Sequence, residues 1–363
     1  MSSELAFCPN WASAPGDTIA DILAERHLPV EEFSKRMDHS QSQTDDLIHG
    51  RLPMTIGMAR RLGEVLGASV AFWMSRDFHY RETVARAREE DREWLRALPI
   101  GDMTKFRWIK PSRPSEELAE SLRFFDVPSV QVWHERYSNV EQLAAFRTSK
   151  SIESSPAAVA AWLRQGEREA EQVECAPWNR ERFHECLESV RALTRQKDPK
   201  RFIPQLRKLC AACGVAVVVV RYPSGCRASG AARFLSPDKA LLQFSFRHLT
   251  DDQFWFTFFH EAAHLLLHPD KGLFVDGIDD LPSVEEHEAD DFSARVLIPI
   301  KFQSDFARVR LSSTEIIRFA VRAGVAPGIV VGQLQHGGQI GHNQFNGLKR
   351  RYEWSEWLDR PSP

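Results

Sequence analysis

The sequence predicts a multidomain, mainly α-helical protein, with an all-α unit at the N-terminus and an α+β unit in the C-terminal half. Apolar residues recur at helical spacing through most of the chain. β-branched and alternating runs, which are typical of strands, cluster between residues 215 and 246. With 363 residues, the chain is long enough for two or three domains that each bury a core of their own.

Residues 15 to about 80 carry the apolar spacing of four short helices. The first three have the spacing of a helix-turn-helix motif, and Ser40 is the expected N-cap of the third helix. The apolar positions are Ile19, Ile22 and Leu23; Val30, Phe33 and Met37; Leu47 and Ile48; and Met58, Leu62, Val65 and Leu66, with Gly67 ending the fourth helix. The pattern therefore predicts a small all-α helix-turn-helix domain over residues 1–82.

A helix-turn-helix motif predicts DNA binding through its third helix, which is expected from about Gln41 to His49. The N-terminal residues of such a helix lie along the major groove. The residues predicted to contact bases or phosphates are Gln41, Ser42, Gln43, Thr44 and Arg51. Asp45 and Asp46 add negative charge to the same helix, which weakens contacts with phosphate. The alternative is a helical module that serves dimerisation or holds another protein.

The middle of the chain has helical patterns without chemistry of its own. Residues 84–110 interleave arginines with acids, which predicts a solvated linker helix, and the Pro-containing stretch at 111–115 marks a boundary. The predicted divisions are the helix-turn-helix domain at 1–82, a charged linker helix at 83–115, a helical connecting domain at 116–208, an α+β domain at 209–305 and a helical closing unit at 306–363.

Strands are predicted in the fourth of these divisions. Val215–Val220 is a β-branched run, residues 240–246 alternate, and a third strand is expected between residues 227 and 234. Cys210 and Cys213 form a CxxC at the end of the preceding helix. Their apolar flanks favour buried thiols over redox chemistry.

An HExxH sequence lies within the apolar run from Phe254 to Leu267. On a helix, His260 and His264 project from one face one turn apart, so that both imidazoles can bind one cation. Zinc is the expected ion. Glu261 lies beside the pair and is the expected proton acceptor for a water that the metal acidifies, which is the arrangement of a hydrolytic site. The alternative is a core helix with two satisfied histidines and an ion-paired glutamate.

A third protein ligand is expected from the next helix, predicted over residues 283–299. Its apolar stripe is formed by Ala289, Phe292, Val296 and Leu297. Glu285 and Glu288 lie on one edge of this stripe, His287 is a weaker candidate, and spacing alone leaves the choice between the two glutamates open. An acidic first turn favoured by the helix dipole accounts for Glu285 and Glu286 without a metal.

Three segments resemble the ImmA/IrrE family of zinc metallopeptidases: residues 226–231, the HExxH with its preceding turns at 251–264, and EADDFS at 288–293. The resemblance implies a zincin-like α+β fold, with Glu261 as the catalytic residue and Glu288 joining the two histidines as the acidic zinc ligand. In zincins an edge strand pairs with an extended substrate, which assigns the substrate strand to Ser229, Gly230 and Ala231. His268 is expected either to contact a metal ligand without binding the metal itself, or to lie on the side where the oxyanion forms.

Residues 15–73 resemble the Cro/C1-type domain of HigA antitoxins. Together the two resemblances imply an endopeptidase and DNA-binding regulator that cleaves a repressor or antitoxin, with its own DNA-binding half as one candidate substrate. The implied partners are a DNA operator, the protein substrate, a toxin and a second copy of the chain. The alternative function is a non-proteolytic antitoxin or transcription factor whose metal site is structural or sensory.

Composition excludes a strongly basic protein, since the formal net charge is −3, and DNA contacts must come from a local patch. The N-terminus lacks the pattern of a secretory signal, no apolar run is long enough to span a membrane, and six cysteines are few for this length. These observations predict a cytoplasmic protein without membrane contact.

Overall fold

The computed structural model of the chain describes residues 13–145, 154–247, 250–269, 272–276 and 283–353. The end of the closing unit, which is predicted over residues 306–363, lies outside the described residues. The chain divides into two compact units, residues 1–94 and residues 95–363. None of the described helices combines the length and the apolarity that crossing a bilayer requires.

The first unit is all-helical, as the apolar spacing predicts. Its helices are α1 (Pro15–Glu25), α2 (Val30–Met37), α3 (Gln41–Ile48), α4 (Ile56–Leu66) and α5 (Val70–Ala97), the last of which contains the division between the units. The buried core includes Ile19, Leu23, Phe33, Leu47, Leu62 and Trp73. Ser40 caps α3, because its hydroxyl accepts a hydrogen bond from the Gln43 amide while the Gln43 side chain accepts one from the Ser40 amide.

The second unit contains the remaining helices. They are α6 (Ile100–Lys105), α7 (Glu117–Phe125), α8 (Val130–Ala145), α9 (Pro156–Glu171), α10 (Arg180–Leu193), α11 (Pro199–Ala211), α12 (Asp251–Leu267), α13 (Val284–Leu297), α14 (Ile300–Phe306), α15 (Ser313–Ala323) and α16 (Pro327–His336). The boundaries predicted at 208/209 and 305/306 fall inside α11 and α14, because one core extends from Phe183 to Tyr352 and joins the predicted α+β domain to the closing unit.

A four-stranded mixed sheet lies within this second unit. The strands are β1 (Val215–Val219), β2 (Gly230–Ser236), β3 (Lys239–Phe244) and β4 (Phe274–Asp276), in the spatial order β1-β3-β2-β4. β1 is parallel to β3, while β2 is antiparallel to both β3 and β4. The three predicted strands are present, and β4 is an addition that the sequence pattern did not predict.

Helix α12 carries the HExxH sequence and is buried along most of its length. Its aromatic residues pack against the sheet and α11, with Phe258 against Phe244 and Trp255 against Phe202. α13 and α16 also pack against α12. Ser293 of α13 donates a hydrogen bond to the carbonyl of Phe256, which ties α13 to the helix that bears the histidines.

Candidate functional site

The two histidines of the HExxH sequence converge as their helical spacing predicts. His260 and His264 are 5% and 2% exposed, and their Nε2 atoms lie 3.1 Å apart. Both nitrogens therefore face the same point from adjacent turns of α12. Imidazole nitrogens that meet at such a distance can share one cation.

Glu286, from the first turn of α13, completes this arrangement. Its carboxylate oxygens lie 3.0 Å from Nε2 of His260 and 3.4 Å from Nε2 of His264. Ligand atoms placed tetrahedrally about zinc at 2.0–2.1 Å are about 3.3 Å apart, so these separations match those of a zinc site. Among the described residues, His260, His264 and Glu286 form the one group of three ligand-bearing side chains close enough to hold a metal.

The second ring nitrogen of each histidine, Nδ1, contacts a neighbouring side chain. Nδ1 of His260 is 2.9 Å from Oδ1 of Asp290, and Nδ1 of His264 is 3.2 Å from Nδ1 of His268. His268 in turn contacts Glu288, with 2.9 Å between Nε2 and Oε2. Such outer contacts set the ring orientation and the tautomer of metal-binding histidines.

The structure therefore places Glu288 differently from the expectation that it would be the third ligand. Glu288 reaches His268, its side chain is 56% exposed, and Glu286 takes the place beside the histidine pair. From the sequence, Glu286 is expected in an acidic first turn that the helix dipole favours without a metal. The other two candidates, Glu285 and His287, also lie outside the three-residue group, and His287 bonds to the Ser283 carbonyl instead.

A signal for Glu286 was present in the helical spacing. Glu286 and Asp290 are one turn apart, and the same face continues with the fully buried Ser293 and Leu297. The face directed at α12 is therefore the one that begins with Glu286. The predicted stripe included the half-buried Phe292 and Val296, which placed Glu285 and Glu288 at its edge, and the family resemblance then favoured Glu288.

Glu261 is fully buried beside the histidine pair, in contact with the start of β2. A Cβ atom on Gly230 would lie 2.6 Å from Oε1 of Glu261, so glycine is needed for this close approach. Burial raises the pKa of Glu261 well above its usual value, which gives the carboxylate a higher proton affinity. The backbone amide of Asp276 approaches this carboxylate and acts to lower its pKa.

The electrostatic environment favours a cation between the histidines. Burial lowers the pKa of His260, but the hydrogen bonds to Asp290 and Glu286, together with the charge of Glu261, outweigh burial and raise the pKa to about 11. The same negative field would stabilise a divalent metal at this position. Buried acids and histidines of this density need either protons or a metal to balance their charge.

The predicted substrate strand lies beside the site but is not at a free edge. Gly230 and Ala231 pair with β3 on one side and with β4 on the other, and the Ser229 amide donates to the carbonyl of Asp276. The expectation of an open edge is therefore not met, because a later segment of the chain occupies that edge. Predicting this segment from its own residues was difficult, since β4 contains three residues.

The CxxC cysteines lie away from these ligands. Cys210 is fully buried, Cys213 is 6% exposed and both are free thiols. A hydrogen bond with Cys210 is the main cause that lowers the pKa of the Cys186 thiol. A hydrogen bond with Cys213 acts in the same direction, while burial opposes both. The three thiols therefore form a cluster between α10 and the end of α11.

The predicted DNA-reading helix is α3, and its residues divide into exposed and structural side chains. Gln41 and Ser42 are exposed, while Gln43 is exposed but also completes the capping box. Thr44 is fully buried and donates to the Ser40 carbonyl, so the expectation that it contacts DNA is not met. Arg51 donates to Asp46 at 2.7 Å, so that part of its charge is already paired.

Comparison with known proteins adds two findings. Residues 220–334 match the model of the Peptidase_M78 family, described as the IrrE N-terminal-like domain, and this range contains β2, β3, α12, β4 and α13. The N-terminal region is 33% identical over 61 residues to the uncharacterized HTH-type transcriptional regulator YddM of Escherichia coli (strain K12). That match covers 17% of this chain and 65% of the relative's length.

Proposed function

We propose, from the IrrE N-terminal-like domain that residues 220–334 form, that this chain is a zinc-dependent endopeptidase. The observation that carries the proposal is the convergence of His260, His264 and Glu286 beside the buried carboxylate of Glu261. A structural metal would need the three ligands but not a fourth, fully buried acid at their side. The position of Glu261 therefore favours hydrolysis over metal storage.

The donor set fits zinc. Two imidazole nitrogens and one carboxylate are a common set for catalytic zinc, in which one coordination position stays open. In this chain His260, His264 and Glu286 would hold the ion. Bound zinc would acidify a water molecule and polarise the peptide carbonyl.

The chain's own residues account for the proton transfers and for positioning. Glu261 accepts a proton from the attacking water and delivers it to the nitrogen of the leaving amine, in keeping with its raised proton affinity. Asp290 and His268 hold the imidazoles of His260 and His264 in orientation, and Glu288 acts through His268. The aromatic residues packed along α12 keep the helix, and with it the carboxylate, in place.

Metal-dependent proteolysis tests this proposal. The zinc-loaded full chain is incubated with reduced, carboxymethylated and fluorescently labelled casein, and fragments are read by mass spectrometry. We expect fragments of the casein that disappear after chelation of the metal and return when zinc is restored. Fragments that persist after chelation, or that never form with zinc bound, would contradict the peptidase function and favour a metal-binding regulator.

For the first unit we propose DNA binding and a role in transcriptional regulation. The support is the capped α3 in a helix-turn-helix arrangement and the likeness to an HTH-type transcriptional regulator. Because a DNA-binding unit and the proposed peptidase share one chain, we further propose a repressor or antitoxin as the substrate, its own first unit included. A toxin and a second copy of the chain are the proposed additional partners.

Gln41 is the residue of α3 for which we expect the clearest effect on DNA. It is exposed at the N-terminal end of the helix and is free to form a bidentate contact with a base. On a DNA fragment selected from random sequences by the unmodified chain, Gln41→Ala is expected to weaken binding by about 5- to 100-fold. The same change at Gln131, which is exposed on α8, is the control. Equal binding by both variants would remove Gln41 from the DNA interface.

A further inference from the structure

Strand β4 occupies the edge of the sheet that faces the candidate site. Its three residues pair antiparallel with β2, with Gly230 opposite Asp276, Ala231 opposite Val275 and Ala232 opposite Phe274. β2 is thus hydrogen-bonded on both sides along the stretch that begins next to Glu261. Among the described residues, β4 itself pairs with β2 alone.

The side chains of β4 lie directly on the site. The ring of Phe274 stacks on the imidazole of His264, with 3.8 Å between ring centroids and 13° between ring planes. At the other end of the strand, Oδ2 of Asp276 is 3.4 Å from the hydroxyl of Thr257, one turn before Glu261 on α12. β4 therefore passes over α12 between the ligand His264 and the turn that precedes the catalytic carboxylate.

An extended peptide that binds a peptidase by strand addition needs the same main-chain groups that β4 uses. Strand addition takes its affinity from hydrogen bonds to the edge of a sheet. The stretch of β2 that β4 covers begins at Gly230, the residue that lies against Glu261. A peptide on this edge would present its backbone to the three ligands, but β4 is already there.

We propose, building on the peptidase function above, that β4 is an intramolecular occupant of the substrate strand position and that an extended protein segment enters by displacing it. In the absence of such a segment, the site is then closed by its own chain. The substrate class this implies is an unfolded or locally melted protein segment, since a folded domain presents no free strand of the required length.

Two features make β4 suitable for exchange. A three-residue strand contributes few hydrogen bonds, and a substrate strand on β2 can form the same ones. The side-chain contact of β4 with α12 at Asp276 is also weak, because its Oδ2 lies 3.4 Å from the hydroxyl of Thr257, longer than a usual hydrogen bond between two oxygens.

A reversible cross-link between β2 and β4 tests the proposal. Ala231 and Val275 are directly opposite and both buried, and paired strand residues have Cα atoms about 4.5–5.5 Å apart, within the range for a disulfide. Since Gly230 faces Glu261, these neighbouring residues face away from the site, so the bond would leave the ligands untouched. The variant is Ala231→Cys with Val275→Cys in the full, zinc-loaded chain.

Two probes separate access to the metal from access to β2. Acetohydroxamate needs only the metal, whereas a trialanine hydroxamate also needs the strand edge. We expect the oxidised double variant to bind the trialanine probe at least tenfold more weakly than the reduced form, while acetohydroxamate binds both forms equally. Each single-cysteine variant, taken through the same oxidation, controls for the native thiols. Val275→Pro, which weakens β4, is expected to bind the trialanine probe more tightly than the unmodified chain.

Two results would overturn the inference while leaving the peptidase function intact. One is equal binding of trialanine hydroxamate by the oxidised and reduced forms, which would place peptides on another edge. The other is a trialanine probe that binds no better than acetohydroxamate in every form. If no form contains zinc, the peptidase function itself fails, and this inference fails with it.

Discussion

Replacing Glu261 with glutamine is expected to reduce hydrolysis by about 10³-fold, within the usual contribution of a general base, while zinc remains bound. Glutamine has nearly the same shape but cannot take a proton from water. Glutamine also keeps an oxygen that can accept from the backbone amide of Asp276, as the carboxylate does. The measurement is the rate of fragment formation from labelled casein together with the zinc content of both proteins.

The control for this variant is the same change at Glu188, whose side chain is 82% exposed on α10. Glu188→Gln is expected to cleave at the rate of the unmodified chain. A Glu261→Gln protein that contains zinc and still cleaves at that rate would remove Glu261 from the catalytic role. Loss of zinc from the same variant would instead indicate that the carboxylate belongs to the metal site.

Replacing Glu286 with alanine is expected to lower zinc affinity by more than about 100-fold, because loss of an outer contact alone costs about 10- to 100-fold. Glu286 is the acidic group next to both imidazoles, at 3.0 and 3.4 Å from their Nε2 atoms. Competition with a fluorescent zinc chelator measures the affinity. A matched change on the same helix, Glu288→Ala, is expected to lower it by about tenfold or less, because Glu288 acts through His268.

The two variants decide between the structure and the earlier expectation for the third ligand. A larger loss of zinc in Glu288→Ala than in Glu286→Ala would restore Glu288 as the ligand. Equal and small losses in both would indicate that the metal is bound elsewhere. The comparison is sharp because both glutamates lie within the first half of α13 and differ mainly in the face that they occupy.

The helices and the histidine pair could be predicted because their signals are local. Apolar spacing set the faces of α1 to α4, and the spacing of four positions between the two histidines of the HExxH fixed the direction of both imidazoles. The capping box at Ser40 is also contained in four consecutive residues. Such features depend little on what the rest of the chain does.

Predicting the third ligand and the contacts around the histidines requires knowing which face of α13 meets α12. The apolar stripe alone was ambiguous, because Phe292 and Val296 are half-buried at its edge while Ser293 is fully buried at its centre. The predicted stripe did not include Ser293. Its hydrogen bond to the Phe256 carbonyl is a tertiary contact that residue spacing does not encode.

The formation of β4 and the burial of Thr44 also depend on tertiary packing. A three-residue strand has too few alternations to show a period, and its partner β2 is more than thirty residues earlier in the chain. Thr44 belongs to the polar stretch that begins α3, yet its place on the inner face of the helix puts it in the core. In both cases tertiary packing, and not the local pattern, decided the outcome.

The most direct test of the central claim is X-ray absorption at the zinc edge, on the full chain loaded with one equivalent of zinc. The metal centre described here predicts nitrogen and oxygen neighbours at about 2.0–2.1 Å, with the scattering pattern of two imidazoles and no sulfur. The opposite result would be sulfur neighbours at about 2.3 Å, which would place the zinc at the cysteine cluster and contradict the proposed centre at His260, His264 and Glu286.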